Sequence, residues 1–475
     1  MAIAGIADRL LEGVEDMRAQ AGAWLEPTLR LGVTGLSGAG KTVFITAVVA
    51  SLLNRGRMRM LSAEAEGRIE AAMLRPQPDP AIARFAYEAH LRALTGAERH
   101  WPESTRSVSQ IRVGIRVRPT GFVGALTGAR VLNLDIVDYP GEWLADLALM
   151  ELDYESWARQ ALAAAESPAR RAHAARWRAA LAEAEPEAEH SEPAAEALAH
   201  AYAAYLADCR GAGLSALAPG RFLMPGEMAG SPALTFAPLP RPGRVPRGCL
   251  YAEMQTRFEA YKRHVVKPFF RDHFAALDRQ VVLVDALGAL AAGPRALADL
   301  TDGMAGTLAA FRHGGSSWLD RLIGQRRIDR LLFVASKADH LHHEQHGRLA
   351  ALVDAMLAEA ASRARFQGAE IRAMAIAAIR ATVEQEVTRA GNPVRLVRGT
   401  RRDTGRAAAV FPGRLPDDPR ALVAAAAGGT AESWPEGDFA ALSFAPPDWG
   451  SRAGDGPPHI RLDQAMDWLI GDRLE

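Results

Sequence analysis

Cysteine occurs only twice in the 475 residues, at Cys209 and Cys249, too few for a disulfide framework or a cysteine-rich metal site. Net charge is also absent. The 56 Lys+Arg balance 56 Asp+Glu, so no global field draws the chain to nucleic acid or to an anionic membrane surface. No apolar run approaches the roughly 20 residues of a membrane-spanning helix. The opening stretch, Met1 to Pro27, carries Asp8, Glu12, Glu15 and Asp16, which is wrong for a secretory leader. The expected compartment is the reducing cytoplasm. What is present is ample core material: 49% hydrophobic and 24% charged residues exclude wholesale disorder. The length allows two to four folding units, or one fold with large insertions.

The scarcest charged residue is lysine. Only Lys41, Lys262, Lys267 and Lys337 occur; every other cation is arginine. A lysine kept in such a chain marks a place where a compact ammonium serves better than a planar guanidinium. Two of the four fall inside motifs.

The first motif is Gly35-x-x-x-x-Gly40-Lys41-Thr42, which follows the apolar strand Leu31–Thr34 and precedes an apolar helix. This is the Walker A pattern in its strand–loop–helix context. Gly35, Gly38 and Gly40 permit positive φ and expose backbone N–H donors to phosphate oxygens, and the helix N-terminus adds its dipole. Ser37, Gly38, Ala39, Gly40, Lys41, Thr42 and Val43 form the expected cradle. Lys41 reaches the terminal phosphates and the Thr42 hydroxyl ligates Mg²⁺.

The second is Asp138-Tyr-Pro-Gly141-Glu142, at the end of the strand from Val131. A carboxylate here acts through the Mg²⁺ shell, and the Gly141 amide senses the γ-phosphate. Asp135 is an alternative to Asp138 but lies mid-strand. Upstream, Thr105 is the expected switch threonine on Mg²⁺, with Ser104 its competitor. Arg106 is either an arginine finger supplied in cis or a solvated loop residue. Glu142 stands where many GTPases carry a water-orienting Gln, so slow hydrolysis is expected.

The third is Ser336-Lys337-Ala338-Asp339, after the strand from Ile328. It differs in one residue type from the Asn/Thr-Lys-x-Asp signature of GTPases. Guanine offers two donors, N1–H and the 2-amino group, to a carboxylate such as Asp339; adenine offers no such pair. The Lys337 stem would lie along the purine face. Ala377, Ala378 and Ile379 fall where a backbone amide meets the guanine O6. The histidines from His340 to His346 read as the start of a helix rather than a metal site.

Strands near 30–35, 111–118, 131–137, 280–286, 328–335 and 370–378, with a closing helix near 462–471, give the plan of a P-loop NTPase. It is α/β, small-GTPase-like and doubly wound, with a mostly parallel sheet. The expected organisation is an N-terminal helix at 1–27 and the first part of the G domain at 28–144, with an insertion at 56–100. A mainly helical insertion at 145–275 follows, then the second part of the G domain at 276–381. An insertion at 382–458 contains a β-hairpin, and 459–475 closes the fold. Pro219–Arg247 is Pro/Gly-rich and reads as extended. The amphipathic start packs on the sheet, its polar face being acidic.

The stretches 31–38, 135–144, Pro219–Gly230, Lys337–His340 and Pro458–Asp463 together resemble the YcjX-like family of bacterial P-loop stress proteins. The resemblance implies a GTP-binding, GTP-hydrolysing cytoplasmic protein linked to heat or envelope stress. It also implies a membrane-protein or stress-response partner, which would hold the chain peripherally at the inner membrane. The function expected is a Mg²⁺-dependent GTP/GDP switch read out by the insertions beside the switch loops. Two rivals share the cradle: a small-molecule kinase with an acceptor pocket at Pro219–Gly230, and a non-hydrolysing nucleotide-stabilised scaffold.

Overall fold

Apolar runs of six to nine residues, rich in Val, Leu and Ile, form strands that are buried on both faces, as a mostly parallel sheet requires. The computed structural model describes residues 26–475, except 36–37, 104–106, 121–127, 216, 311–327, 365–368, 390, 430–433, 436, 438, 440–442 and 450–453. Its central sheet has eight strands. They are β1 (Thr28–Gly35), β2 (Ile69–Arg75), β3 (Ala83–Arg84), β4 (Ser109–Val117), β5 (Arg130–Asp138), β6 (Arg279–Val284), β7 (Arg330–Ala335) and β8 (Glu370–Ala375).

The order is β2-β4-β5-β1-β6-β7-β8, with β3 alongside β4. From β5 to β8 every neighbouring pair is parallel, whereas β4 runs antiparallel to both β5 and β2. The register sets Val33 beside Asp138, Gly35 beside Leu283 and Val284 beside Ala335. The carboxyl ends of β1, β5, β6 and β7 therefore share one edge, where open α/β sheets bind ligands.

One sheet face packs on helix α1 (Lys41–Leu53) and on the C-terminal helix Leu462–Ile470 through Phe44, Val48, Leu52, Met466 and Leu469. Arg279, 1% exposed, fastens that second helix. Its guanidinium meets Asp329 at 3.0 Å and Asp472 at 2.5 Å, and donates to the Leu469 carbonyl. The opposite face packs on Pro294–Ala310, His346–Ala364 and the helices after Gly141.

The three insertions differ in kind. The first is stitched into the sheet as β2 and β3, strands that the sequence pattern did not announce. The second is helical and holds an aromatic core, with Trp157 stacked on Phe258 at 4.8 Å and Trp177 on Tyr205 at 5.1 Å. That core is continuous with the sheet's own. Lys262 spends its ammonium on the Leu152 carbonyl at 2.7 Å and on Glu259. The third insertion has three antiparallel strands, β9 (Val383–Arg389), β10 (Asn392–Thr400) and β11 (Ala407–Val410), one more than a hairpin. Residues 1–25 lie outside the described residues. Among those described, no helix is long and apolar enough to cross a membrane.

Candidate functional site

At the end of β1 the chain turns through Gly38 (φ 77°) and Gly40 (φ 84°), conformations that side-chain-bearing residues rarely adopt. Gly40 caps α1, so the first-turn N–H groups at Lys41 and Thr42 face the cavity without an acidic side chain to neutralise them. Ala39 and Val43 line the same space. Ser37 lies outside the described residues.

Lys41 crosses to the end of β5. Its Nζ is 3.0 Å from Asp138 Oδ1 and donates to the Tyr139 carbonyl at 3.0 Å. Asp138 is 1% exposed, and neither carboxylate oxygen accepts a well-formed hydrogen bond. Asp135 is different. Its cross-strand neighbour Arg112 grips it bidentately at 2.5 and 2.7 Å, so its charge is consumed inside the sheet. Asp138, with its unfilled lone pairs, and the Thr42 hydroxyl form a set of hard oxygen donors of the kind Mg²⁺ takes, and the two residues fit that ion. Thr42 Oγ1 donates to the Glu103 carbonyl at 3.3 Å, which brings the chain before the expected switch against the cradle. Ser104, Thr105 and Arg106 themselves lie outside the described residues.

A Cβ at Gly141 would overlap the Gly35 carbonyl, so only glycine lets the loop after β5 close on the cradle. Glu142 opens helix α2 (Glu142–Leu149) and pairs with Arg210 at 3.1 Å. Arg210 belongs to helix α3 (Glu192–Gly211) of the second insertion. Trp143 donates to the Met224 carbonyl at 2.9 Å, and the Arg221 guanidinium lies over its ring at 3.2 Å. One turn on, buried Asp146 accepts from the Gly220 amide at 2.6 Å and the Tyr261 hydroxyl at 2.7 Å. Burial pushes the Asp146 carboxyl up to about 6, the hydrogen bonds only partly offsetting it. The segment after Gly141 is thus bolted to the second insertion.

At the other end, Ser336 Oγ donates to the Val284 carbonyl at 3.2 Å. Lys337 sits at φ 61° with its ammonium on Asp285, a carboxylate that also accepts from the Gly288 amide at 2.9 Å. Asp339, 4% exposed, takes the Ala381 amide on Oδ2 at 2.8 Å, and its carbonyl takes the Thr382 hydroxyl. The Ala377 amide is committed to the Ile460 carbonyl at 3.2 Å, and the Arg380 amide to Pro458 at 2.7 Å. Among Ala377, Ala378 and Ile379, this leaves Ala378 and Ile379 to face a ligand with a backbone donor.

One cavity of about 370 Å³ gathers these groups: Gly38 to Val43, Glu142, Ser336, Lys337, Asp339 and residues 376–379 all line it. It also takes in residues that the sequence did not single out. Asp285 comes from the end of β6. Trp101 and Pro102 directly follow the first insertion, Arg210 and Met224 come from the second, and Arg402, Ser443 and Phe444 from the third. Trp101 Nε1 donates to the Phe444 carbonyl at 2.6 Å, joining the chain after the first insertion to the third. A strand-end Asp and a Trp beside the switch were visible signals; for Arg210 there was none.

The profile of the YcjX-like family, DUF463, matches residues 29–474. Two curated relatives align over nearly the whole chain. "Ras-like GTPase YcjX" of Escherichia coli K12 is 37% identical over 459 residues, 94% of this chain and 96% of its own. The protein of the same name from Shewanella oneidensis is 37% identical over 479 residues, 94% and 95% of the two chains. The sheet order, the cradle and these relatives agree on a P-loop NTPase fold, and the chain belongs to the YcjX-like family.

Proposed function

We propose that the protein binds GTP and GDP with Mg²⁺, hydrolyses GTP slowly, and works as a nucleotide-controlled switch in a bacterial stress response. The observation that carries this is the cavity itself, in which one space is lined by a phosphate cradle and a strand-end carboxylate suited to guanine, with the Lys41 ammonium of the cradle reaching the buried Asp138 at 3.0 Å. The relatives' name supports the same reading.

In this reading the amides of Gly38 to Thr42 and the Lys41 ammonium hold the phosphates, and Lys41 exchanges the Tyr139 carbonyl for phosphate oxygen. Asp138 and Thr42, with Thr105, would hold Mg²⁺, which would supply charge neutralisation toward the phosphates. Gly141 offers its amide to the γ-phosphate. Asp339 takes the guanine N1–H and 2-amino group, Lys337 lies along the ring, and the Ala378 or Ile379 amide meets O6. Catalysis is mainly positioning and charge stabilisation. Glu142, a carboxylate where many GTPases carry a water-orienting Gln, accounts for a slow rate.

The Trp143–Met224 bond and the Glu142–Arg210 pair tie residues 145–275 to the segment after Gly141 and make them the readout toward a membrane-protein or stress-response partner. The protein itself is cytoplasmic in this reading, and peripheral at the inner membrane through that partner. Single-turnover hydrolysis of GTP by the purified protein tests the activity. Phosphate release that Lys41→Ala abolishes is expected; release that survives Lys41→Ala contradicts it. Nucleotide binding without release would leave the scaffold reading, and transfer to an added metabolite the kinase one.

A further inference from the structure

We propose that Arg210, delivered by the helical insertion, is a catalytic residue of this site. Its guanidinium stabilises the charge that builds on the γ-phosphate oxygens during hydrolysis, and Glu142 holds it ready between turnovers. The inference rests on the GTPase reading above.

Among the described residues only two arginines, Arg210 and Arg402, line the cavity. They serve opposite ends. The Arg402 amide is bonded to the Ser443 carbonyl at 2.8 Å, next to Phe444, whose ring packs on His340 at 5.4 Å beside Asp339. That is the base end. Arg210 instead meets Glu142 Oε1 at 3.1 Å, and Glu142 directly follows Gly141. That is the phosphate end.

The other contact of Arg210 is weak. A second guanidinium nitrogen lies 3.1 Å from Met224 Sδ, a thioether being a poor acceptor. The arginine side chain is 28% exposed and its carboxylate partner 11%, so the pair is neither sealed in the core nor free in solvent. Whether such a pair is taken as exposed or buried, its presence is weak evidence of a stabilising role. The frame around it, by contrast, is fixed. Met224 carries the Trp143 bond, and a Cβ on Gly220 would overlap the Glu142 carbonyl. Arg210 therefore reaches the phosphate by side-chain torsion, without any swing of the insertion.

Phosphate and carboxylate compete for the same planar fork, and the more highly charged phosphate is the stronger partner. When GTP enters, Arg210 exchanges Glu142 for γ-phosphate oxygens, and the released Glu142 carboxylate accepts a hydrogen bond from water. The water oxygen bonds to Pγ as the Pγ–O bond to the β-phosphate breaks. The bond pair leaves with GDP, and the water proton ends on inorganic phosphate. Phosphate departure returns Arg210 to Glu142.

The test is single-turnover GTP hydrolysis by the full chain as wild type, Arg210→Ala and Arg210→Lys, with GTP affinity and formation of the GDP–fluoroaluminate complex measured alongside. The proposal expects Arg210→Ala to bind GTP within about threefold of wild type, to hydrolyse it about 1000-fold more slowly or worse, and to lose the fluoroaluminate complex. It expects Arg210→Lys to leave most of that defect in place, because an ammonium keeps the pairing with Glu142 but not the fork. Wild-type rates in Arg210→Ala would overturn it. So would full rescue by Arg210→Lys, or a loss of GTP affinity that matches the loss of rate, since each points to a structural role. A failure of the underlying reading looks different: the wild type itself then binds no GTP, or Lys41→Ala hydrolyses it.

Discussion

Replacing Asp146 by Asn tests whether burial holds the proton on this carboxyl, which accepts from both Gly220 and Tyr261. The side chain is 2% exposed, with Gly220 N–H on one oxygen and Tyr261 O–H on the other. An amide keeps both contacts, accepting from Gly220 and donating to Tyr261, but cannot ionise. In the folded chain burial keeps the proton on the carboxyl up to about pH 6, whereas the unfolded chain releases it near 3.8. Between these values the folded state binds the extra proton. The stability contributed at this position is therefore complete below pH 3.8 and is lost as pH rises through 6. About two pH units correspond to about 3 kcal/mol. Urea denaturation of wild type and Asp146→Asn, in steps from pH 4 to 7.5, isolates the effect as the difference between the curves. Relative to the variant, the wild type loses about 3 kcal/mol across that span and is flat above it. A difference that does not change with pH, or one that grows in the other direction, would refute a carboxyl held neutral by burial.

Two further perturbations address other parts of the frame. Gly141→Ala places a methyl group on the Gly35 carbonyl; overpacking of this kind costs about 1–3 kcal/mol, and GTP hydrolysis should fall with it. A melting temperature and rate equal to wild type would show that the two loops do not meet. Arg279→Met takes one cation from Asp472 and Asp329, which keep Arg330 and Arg473, and one donor from the Leu469 carbonyl, and should cost on the order of 1 kcal/mol by thermal or chemical denaturation. An unchanged midpoint would mean that the C-terminal helix is held by its apolar face alone.

The parallel strands and the three motifs were legible because each signal is local. A run such as Leu331–Ala335 is apolar throughout, and Gly38 and Gly40 mark their own positive φ. Other features depend on partners distant in the chain. Ile69–Arg75 and Val383–Arg389 are edge strands with interleaved charges, and only the strands beside them make them β. Asp138 is preferred to Asp135 on its strand-end position alone; that Arg112 consumes the Asp135 charge is visible only in the β4–β5 register. The expected strand at 370–378 stops at Ala375 because the chain from Ala377 pairs with Ile460, a contact no periodicity encodes. Arg210 is one of dozens of arginines, and only the folding of the insertion onto α2 brings it to the cavity.

The central claim is that one magnesium-bound guanine nucleotide fills the cavity, with its base chosen by Asp339. Calorimetric titration of wild type and Asp339→Asn with GTP, xanthosine triphosphate and ATP tests it most directly. Losing two charge-assisted bonds should weaken GTP by about 100-fold while xanthosine triphosphate gains, and ATP should stay weak in both proteins. An Asp339→Asn protein that binds GTP as wild type does, or a wild type that prefers ATP, would contradict it.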